Sequence, residues 1–478
     1  MADVRAAVNS RSASGTKAAR RPKSWSALEL RSTLTTVLAL VVAFIIPWFH
    51  GTAPRFVYDA AQYWGGAAAL ITGHGWVDAG GLTTRGIFTT FIYLPPALTT
   101  SLIGPQADVW AVLAWNAALG AIVSVLLIPR LAGLITSSPL SRPPAARIWT
   151  SAVVGGIVLS GYARFPLVDI WSIALALAGF YGLAVAHPWW WLSLAGVSLT
   201  VAANVRPAMI APLILGVAVL FVVRARPIAI AIPAGILAIA PQVIFNKLRW
   251  DIWSPVPRET VPLSAVQAGP APYTLRYDTV AFDGQDPRQW YCDPRYASVV
   301  AEDPRPHNQI DVIISAFHHL PDSIWFLFRK IAANLRWSLM TPYENGPDPA
   351  TSPMTVLVVV VSAWGIVALI MSVIRIRSHR RWLVTTLALL AFWIGALATV
   401  VFSTPETRFT LPLVLVGLVG LVSVVPERIR LLAFSRDSFI AVGCALLLTV
   451  GVLAAGSEAV GHAMPPGPLF DAAECARQ

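Results

Sequence analysis

Charged residues are scarce in this chain. Only 12% of its 478 residues are Asp, Glu, Lys or Arg, whereas 56% are hydrophobic. Soluble domains carry about 25% charged residues, so a water-soluble fold of this size would expose too much apolar surface. The same composition excludes disordered and fibrous chains. Long apolar runs separated by short polar loops instead predict a multi-span membrane protein.

Cysteine is also scarce, with only Cys292, Cys444 and Cys475. No two of them form a Cys-x-x-Cys pair. This spacing disfavours both thiol redox chemistry and a zinc cluster.

The apolar runs predict an all-α polytopic membrane protein with about eleven transmembrane helices. Between the first two runs lies a first outer loop (50–107), and the part that follows Trp64, up to Ile71, has a helical pattern suited to the membrane surface. A larger outer loop covers 246–353. The expected spans are 33–49, 108–131, 148–163, 170–186, 190–204, 207–223, 227–245, 354–374, 382–402, 409–425 and 437–456.

Basic residues predict the orientation of these spans. The net charge is +11, and seven of the 35 basic residues lie in the first 31 positions. Most others occupy alternate short loops, which places the N-terminus and those loops in the cytoplasm and both large loops outside. This distribution indicates membrane orientation rather than nucleic-acid binding. We expect a multi-pass protein of the plasma (inner) membrane, in contact with membrane lipids.

The chain therefore divides into five expected segments. Residues 1–30 read as a disordered basic cytoplasmic tail, for which a cleaved signal peptide is the alternative. An N-terminal transmembrane module (31–245) precedes the extracytoplasmic subdomain (246–353), in which helical spacing of apolar residues predicts an amphipathic helix over 310–340. C-terminal transmembrane helices (354–456) and an extracytoplasmic tail (457–478) follow.

This topology also predicts where each cysteine lies relative to the membrane. Cys292 and Cys475 both fall outside, which allows a disulfide between them. Cys444 is expected to be buried in the last span.

Ionisable residues gather in the turns on the outer side. A charge within the membrane is costly, and four separate loops bring carboxylates and guanidiniums to one face. Such a set suits an anionic lipid headgroup held by Arg beside a carboxylate that accepts a proton. Each residue alone also fits a solvated or snorkelling charge, and Arg164 could simply pair with Asp169. The residues are Asp59, Arg85, Arg164, Asp169, Arg206, Glu406 and Arg408, with Tyr63 and Tyr93 nearby in sequence.

The order of these motifs resembles the GT-C superfamily of polytopic glycosyltransferases, in particular the branch with protein O-mannosyltransferases and the lipid A aminoarabinose transferase. The likeness covers roughly residues 30–425. It comprises an acidic residue in the first outer loop, a Pro-Pro segment before the second span, a basic residue and Asp between the third and fourth spans, and two later Arg-containing turns. The matching elements are Tyr58-Asp59, Tyr93-Leu-Pro-Pro96, Arg164 with Asp169, Arg206-Pro207 and Arg408-Phe-Thr-Leu-Pro412.

The resemblance implies sugar transfer, with inversion, from a polyprenyl-phosphate-sugar to a glycan, lipid or protein acceptor on the extracytoplasmic face. Asp59 would act as general base on the acceptor hydroxyl or would orient it, and Asp169 would position the acceptor or the base. Some relatives carry Lys before Pro-Pro, where this chain has Leu94, so either Arg85 would take over the phosphate role or the substrate would differ. Some also need a divalent metal ion, for which no ligand spacing is apparent here. Arg85, Arg164, Arg206 and Arg408 would bind the donor phosphate, and Tyr63, Tyr93 and Glu406 would support the site.

Two other functions compete with this interpretation. A polysaccharide polymerase or ligase of the cell envelope depends on an Arg/His-rich outer loop, and 246–353 contains Arg288, Arg295, Arg305 and His307. A lipid or sugar transporter (flippase) would instead place its polar groups at mid-membrane. The clustering at one surface argues against the transporter, so the polymerase or ligase is the stronger alternative, and a non-catalytic scaffold is a third.

Overall fold

The computed structural model is built almost entirely of helices. It describes residues 27–53, 55–83, 85–136, 143–185, 188–257, 267–278, 288–338, 342–343, 351–375, 380–425, 436–464 and 470–478. Residues 1–26 of the predicted tail lie outside the described ranges, and the first described helix begins at Ala27.

Five helices lie in the segments expected to form the first span and the first outer loop. They are α1 (Ala27–Ile45), α2 (Tyr58–Ile71), α3 (Trp76–Gly81), α4 (Ile87–Ile92) and α5 (Leu94–Ile103).

Seven helices follow as far as the second outer loop: α6 (Asp108–Ile122), α7 (Ile128–Ile135), α8 (Ala145–Ala163), α9 (Val168–Ala184), α10 (Trp189–Val205), α11 (Ile210–Ala238) and α12 (Ala240–Trp250). The segment 246–353, expected to be the larger outer loop, contains β1 (Leu275–Asp278), β2 (Arg288–Cys292), α13 (Pro294–Val299), α14 (Gln309–His318) and α15 (Asp322–Asn334). The rest of the chain forms α16 (Pro353–Arg375), α17 (Arg380–Val401), α18 (Leu411–Val424), α19 (Arg436–Glu458), β3 (His462–Met464) and α20 (Ala472–Ala476).

Seven described stretches are long and apolar enough to cross a membrane, as expected of a multi-pass membrane protein. Helices α8, α9 and α10 occupy three other expected spans but are not among the seven. One stretch contains two expected spans, 207–223 and 227–245, and its α11 has a non-helical backbone at Arg224. The count of eleven stays a prediction. The seven are Arg31–His50, Pro105–Ile135, Pro207–Trp250, Pro353–Ile374, Trp382–Val401, Thr407–Val424 and Phe439–Glu458.

Small residues let the central helices approach closely. A Cβ atom at Gly365 of α16 would overlap the backbone oxygen of Gly417 in α18, so the two backbones are in direct contact there. Helices in membranes associate through such packing because lipid tails offer no hydrophobic gain between them. Helix α18 is buried along nearly its whole length and forms the centre of the bundle.

A small antiparallel sheet, which the sequence analysis did not anticipate, joins the outer loop to the C-terminal tail. Strand β2 lies between β1 and β3, with Leu275 opposite Tyr291 and Trp290 opposite Met464. A disulfide links Cys292 of β2 to Cys475 of α20, so the pairing allowed by the expected topology is present.

Two expectations require correction. The predicted helix over 310–340 is two helices, α14 and α15, separated by a turn at 319–321. Pro321 explains the break, because it has no backbone N–H to continue a helix. Cys444, expected to be buried, is exposed on the surface of α19.

Candidate functional site

The site begins with an ion pair between two turns that are far apart in sequence. Asp59 lies in the first turn of α2, where the helix dipole favours a negative charge. Arg408 lies in the short 3₁₀ turn Thr407–Thr410 that leads into α18. Its Nη1 atom is 2.8 Å from Asp59 Oδ2. The first outer loop and the turn before α18 therefore meet at the same end of the bundle.

Arg408 also contacts a second carboxylate behind the first. Its Nε atom lies 2.5 Å from Glu406 Oε2, and the other Glu406 oxygen lies 3.2 Å from Arg276 Nη1. The backbone N–H of Arg276 donates to Pro405 O at 2.8 Å, which joins β1 to this turn. The chain Arg276–Glu406–Arg408–Asp59 therefore fixes the orientation of the Arg408 guanidinium.

A second ion pair lies between two other turns. Asp169, in the first turn of α9, pairs with Arg206, which follows the last residue of α10. Both side chains are buried. The Arg206 guanidinium also stacks on the ring of Phe409, 4.9 Å from its centroid, and Arg408 lies 5.6 Å from the same centroid. The aromatic ring thus packs against both guanidiniums.

Arg85 enters the site from the turn between α3 and α4. Its Nε atom donates to Tyr63 Oη at 3.2 Å. Among the described residues it forms no ion pair with a carboxylate, unlike Arg206 and Arg408. Arg85 is therefore the guanidinium of the three that is best placed to bind an added anion.

These side chains line a cavity of about 360 Å³. Three guanidiniums and two carboxylates leave the lining with a net charge of +1. Apolar residues at the start of α11 and at the end of α17 complete the wall, including Ile210, Ala398 and, just after α17, Phe402. The charged residues that line the cavity are Asp59, Arg85, Asp169, Arg206 and Arg408.

Asp59 is the most accessible acid of the site. Its side chain is 26% exposed, against 4% for Asp169 and 9% for Glu406. Burial opposes ionisation of the Asp59 carboxyl, but the charges of Arg408 and Arg85 outweigh it and lower its pKa below the ordinary value. Asp59 is therefore an ionised carboxylate that faces the cavity.

Glu406 and Tyr63, two neighbours of Asp59, have pKa values that are shifted in opposite directions. Burial disfavours the ionised form of Glu406 too, yet Arg408 and Arg276 lower the pKa of this carboxyl. Burial, followed by the charge of Asp59, raises the pKa of Tyr63, so its phenol stays protonated. The arrangement can hold an anionic group against Arg85 while Asp59 accepts a hydrogen bond from a hydroxyl.

Six of the nine residues selected from the sequence line this cavity, namely Asp59, Tyr63, Arg85, Asp169, Arg206 and Arg408. Glu406 lies directly behind Arg408 as a supporting group.

Arg164 and Tyr93 are not part of the lining. The Arg164 Nη2 atom donates to Thr52 O at 2.7 Å, and Asp169 pairs with Arg206 rather than with Arg164. Tyr93 is fully buried and donates to Leu167 O at 2.7 Å. It thereby holds the turn that precedes Asp169. Both residues thus have a positioning role in the fold around the site.

Sequence reasoning missed Arg276, Phe409, Gln309 and Ile313. Gln309 and Ile313 of α14 line the cavity, as does Phe409. Arg276 belongs to β1, in a loop without a recognisable motif. Phe409 stands within the Arg-Phe-x-x-Pro element, and its aromatic character beside an Arg was the one available signal.

The donor set does not suit a resident metal ion. Each Asp carboxylate that lines the cavity is already paired with a guanidinium. In the described part of the chain, no group of three His, Cys, Asp or Glu side chains could hold a metal ion. We therefore assign no step to a metal.

In comparisons with known proteins, no protein family, curated protein or solved structure matches this chain.

Proposed function

We propose that this protein is a membrane glycosyltransferase that moves a sugar from a polyprenyl-phosphate-sugar to an acceptor hydroxyl on the extracytoplasmic face. The observation that carries the proposal is the ionised, accessible Asp59 within a cavity lined by three guanidiniums at the ends of apolar helices. The resemblance of the motifs to GT-C enzymes points to the same reaction. A lipid carrier fits because water-soluble nucleotide sugars do not occur outside the cytoplasm.

The charge balance supports a phosphate leaving group. A polyprenyl-phosphate-sugar carries one negative charge on its phosphodiester, and the released polyprenyl phosphate carries up to two. The extra charge develops as the bond between the anomeric carbon and the phosphate oxygen breaks. Guanidiniums that are already oriented stabilise such developing charge effectively. Arg85 is assigned the main contact with the phosphate, and Arg206 and Arg408 supply further positive potential.

Asp59 is assigned to the acceptor. The acceptor oxygen attacks the anomeric carbon from the face opposite the phosphate, which inverts the configuration. The hydroxyl proton passes to Asp59 Oδ as the new glycosidic bond forms. A carboxylate with a low pKa is a weak base, but the attacking hydroxyl becomes strongly acidic late in this step. Asp169, buried and paired with Arg206, is assigned the positioning of this wall of the cavity.

Turnover with labelled donors tests this function. The full-length protein in lipid vesicles is incubated with radiolabelled polyprenyl-phosphate sugars and hydroxyl-bearing acceptors. Release of free polyprenyl phosphate together with label on the acceptor is the expected result. Passage of intact donor across the bilayer without cleavage would identify a flippase and overturn the proposal. Joining of whole glycan chains, with no transfer of single sugars, would favour the polymerase or ligase.

A further inference from the structure

Two helices of the 246–353 segment, α14 and α15, expose a row of large apolar side chains. On α14, Ile310, Ile314 and Phe317 follow helical spacing and are 66%, 47% and 67% exposed. The row continues through the intervening turn and onto α15, where Ile324 and Trp325 are 62% and 45% exposed. A row of this extent is unusual on a surface that faces water. We call it the apolar row: Ile310, Ile314, Phe317, Leu320, Ile324 and Trp325.

Contacts with α19 set the level of this row relative to the membrane. The Phe328 ring of α15 lies against Gly451 of α19. Gly451 precedes the end of α19 at Glu458 by seven residues, which is about 10 Å along a helix axis. Arg329 reaches Glu458 itself at 2.9 Å. Helix α15 therefore runs beside the last two turns of an apolar helix that is long enough to span a membrane.

The apolar row also continues directly into the outward-facing surface of α19. Leu447 and Val450 of α19 are 76% and 64% exposed, and they lie just before Gly451. The rings of Trp325 and Phe328 stack at 5.6 Å and bridge the two surfaces. Trp is typical of the boundary between lipid and water. Lipid surrounds the exposed surface of a membrane helix. We therefore expect the same lipid to contact the apolar row beside it.

The other sides of α14 face the protein. Gln309 and Ile313 line the cavity of the candidate site. Ser315 donates to Asp303 at 2.5 Å, and His319, just after the helix, contacts the same carboxylate at 3.0 Å. Helix α14 is thus amphipathic in the sense expected of an interfacial helix, with one apolar face and polar anchoring on the opposite side.

We propose that the α14–α15 pair is embedded in the membrane leaflet on the side of the cavity, with the apolar row inserted among the lipids. The inference does not depend on the reaction that the cavity catalyses. It has a consequence for the cavity, however, since the lipid then holds one of its walls in place. A lipid-borne substrate would meet the cavity at the level of its own headgroup, next to Gln309 and Ile313.

Quenching of a fluorescent label tests the insertion. The full-length protein carries Cys444→Ser, which removes the free cysteine, and Phe317→Cys, labelled with an environment-sensitive fluorophore in phosphatidylcholine–phosphatidylglycerol vesicles. Glu302→Cys, at an exposed charged position between α13 and α14, is the matched control. We expect spin-labelled lipid to quench the Phe317 label at least threefold more than the control label. Aqueous iodide should show the reverse order.

Two results would overturn the inference. Equal access of iodide to both labels would place the row in water. Protection of the Phe317 label from both quenchers would mean that protein covers the row, such as a second copy of this chain. Ile310→Cys provides an independent position on the same face, so that a local disturbance at 317 would not decide the outcome.

Discussion

Arg408 Nη1 lies 2.8 Å from Asp59 Oδ2, although these two residues belong to turns near opposite ends of the sequence. Their contact requires the first outer loop and the turn before α18 to lie on the same side of the membrane. Asp169 and Arg206 pair within the same cavity. Four separate segments thus contribute charges to one site, and the predictions below test what that site does.

The first prediction concerns binding of the donor phosphate. Of the three guanidiniums that line the cavity, Arg85→Met removes the one without a carboxylate partner among the described residues, so we expect the KM for a polyprenyl-phosphate-sugar to rise about 10- to 100-fold. Arg85→Lys should recover only part of this loss, because an ammonium lacks the planar fork of Arg. Arg249→Met, which removes an exposed Arg that pairs with Asp78, is the control and should leave KM unchanged. Equal KM values in all variants would contradict the assignment.

The second prediction is a pH dependence. The pKa values of Asp59 and Glu406 are both lowered in the folded protein. At mildly acidic pH each carboxyl group therefore binds fewer protons in the folded state than in the unfolded state. Their stabilising contribution is present above the unfolded pKa of about 4 and is lost as the pH falls through the lower folded values. Transfer activity and Tm should therefore stay level from about pH 7 to 5. An activity loss with a midpoint near pH 6 would point to a different titrating group.

The third prediction concerns the fully buried Lys330 of α15. Its Nζ atom donates to Ala271 O at 2.6 Å, Val401 O at 2.8 Å and Ser403 O at 2.7 Å. Lys330→Met leaves these carbonyls without a donor, so we expect a loss of about 2–4 kcal/mol of unfolding free energy. Lys247→Met, at an exposed ion pair with Asp251, should leave the free energy of unfolding almost unchanged, because exposed ion pairs contribute little to stability. Thermal unfolding in detergent compares the two variants.

The fourth prediction concerns the disulfide between Cys292 and Cys475. It attaches the C-terminal segment to β2 across a sequence separation of 183 residues. Replacement of both cysteines by Ser should lower stability by about 2–4 kcal/mol, seen as a lower Tm. In the unaltered protein, alkylation should modify two further thiols only after reduction, as measured by intact mass. Modification of all three cysteines without reductant would show that the bond is absent.

The sequence predicted the charged members of the site because a charged residue near a membrane span is costly and therefore often has a function. The sequence around Asp59, Asp169, Arg206 and Arg408 contains few other charged residues. Their positions in turns that are expected on the same side of the membrane were therefore enough to assign them to one site. The composition predicted a helical membrane protein for the same reason. Which carboxylate pairs with which Arg was not predictable, since Asp169 could have paired with Arg164, and helix packing selected Arg206 instead.

The remaining parts depend on tertiary contacts that leave no local pattern. Arg276 reaches Glu406 only because β1 adds its backbone to the turn at Pro405. The sheet itself needs β3 from the far end of the chain. Tyr93 and Arg164 looked equivalent to the site residues in the sequence, yet both point into the packed interior. The break between α14 and α15 was within reach of sequence reasoning, because Pro321 marks it.

The most direct test of the central claim is the transfer rate of Asp59→Asn. This change keeps the size of the side chain but removes the charge that pairs with Arg408 and accepts the proton. General-base catalysis is worth roughly 10²- to 10⁴-fold in rate, so we predict a loss of at least about 100-fold in kcat with normal insertion into the membrane. Asp251→Asn, at an exposed carboxylate outside the cavity, should retain full activity. A kcat for Asp59→Asn within about twofold of the unaltered protein would contradict the account.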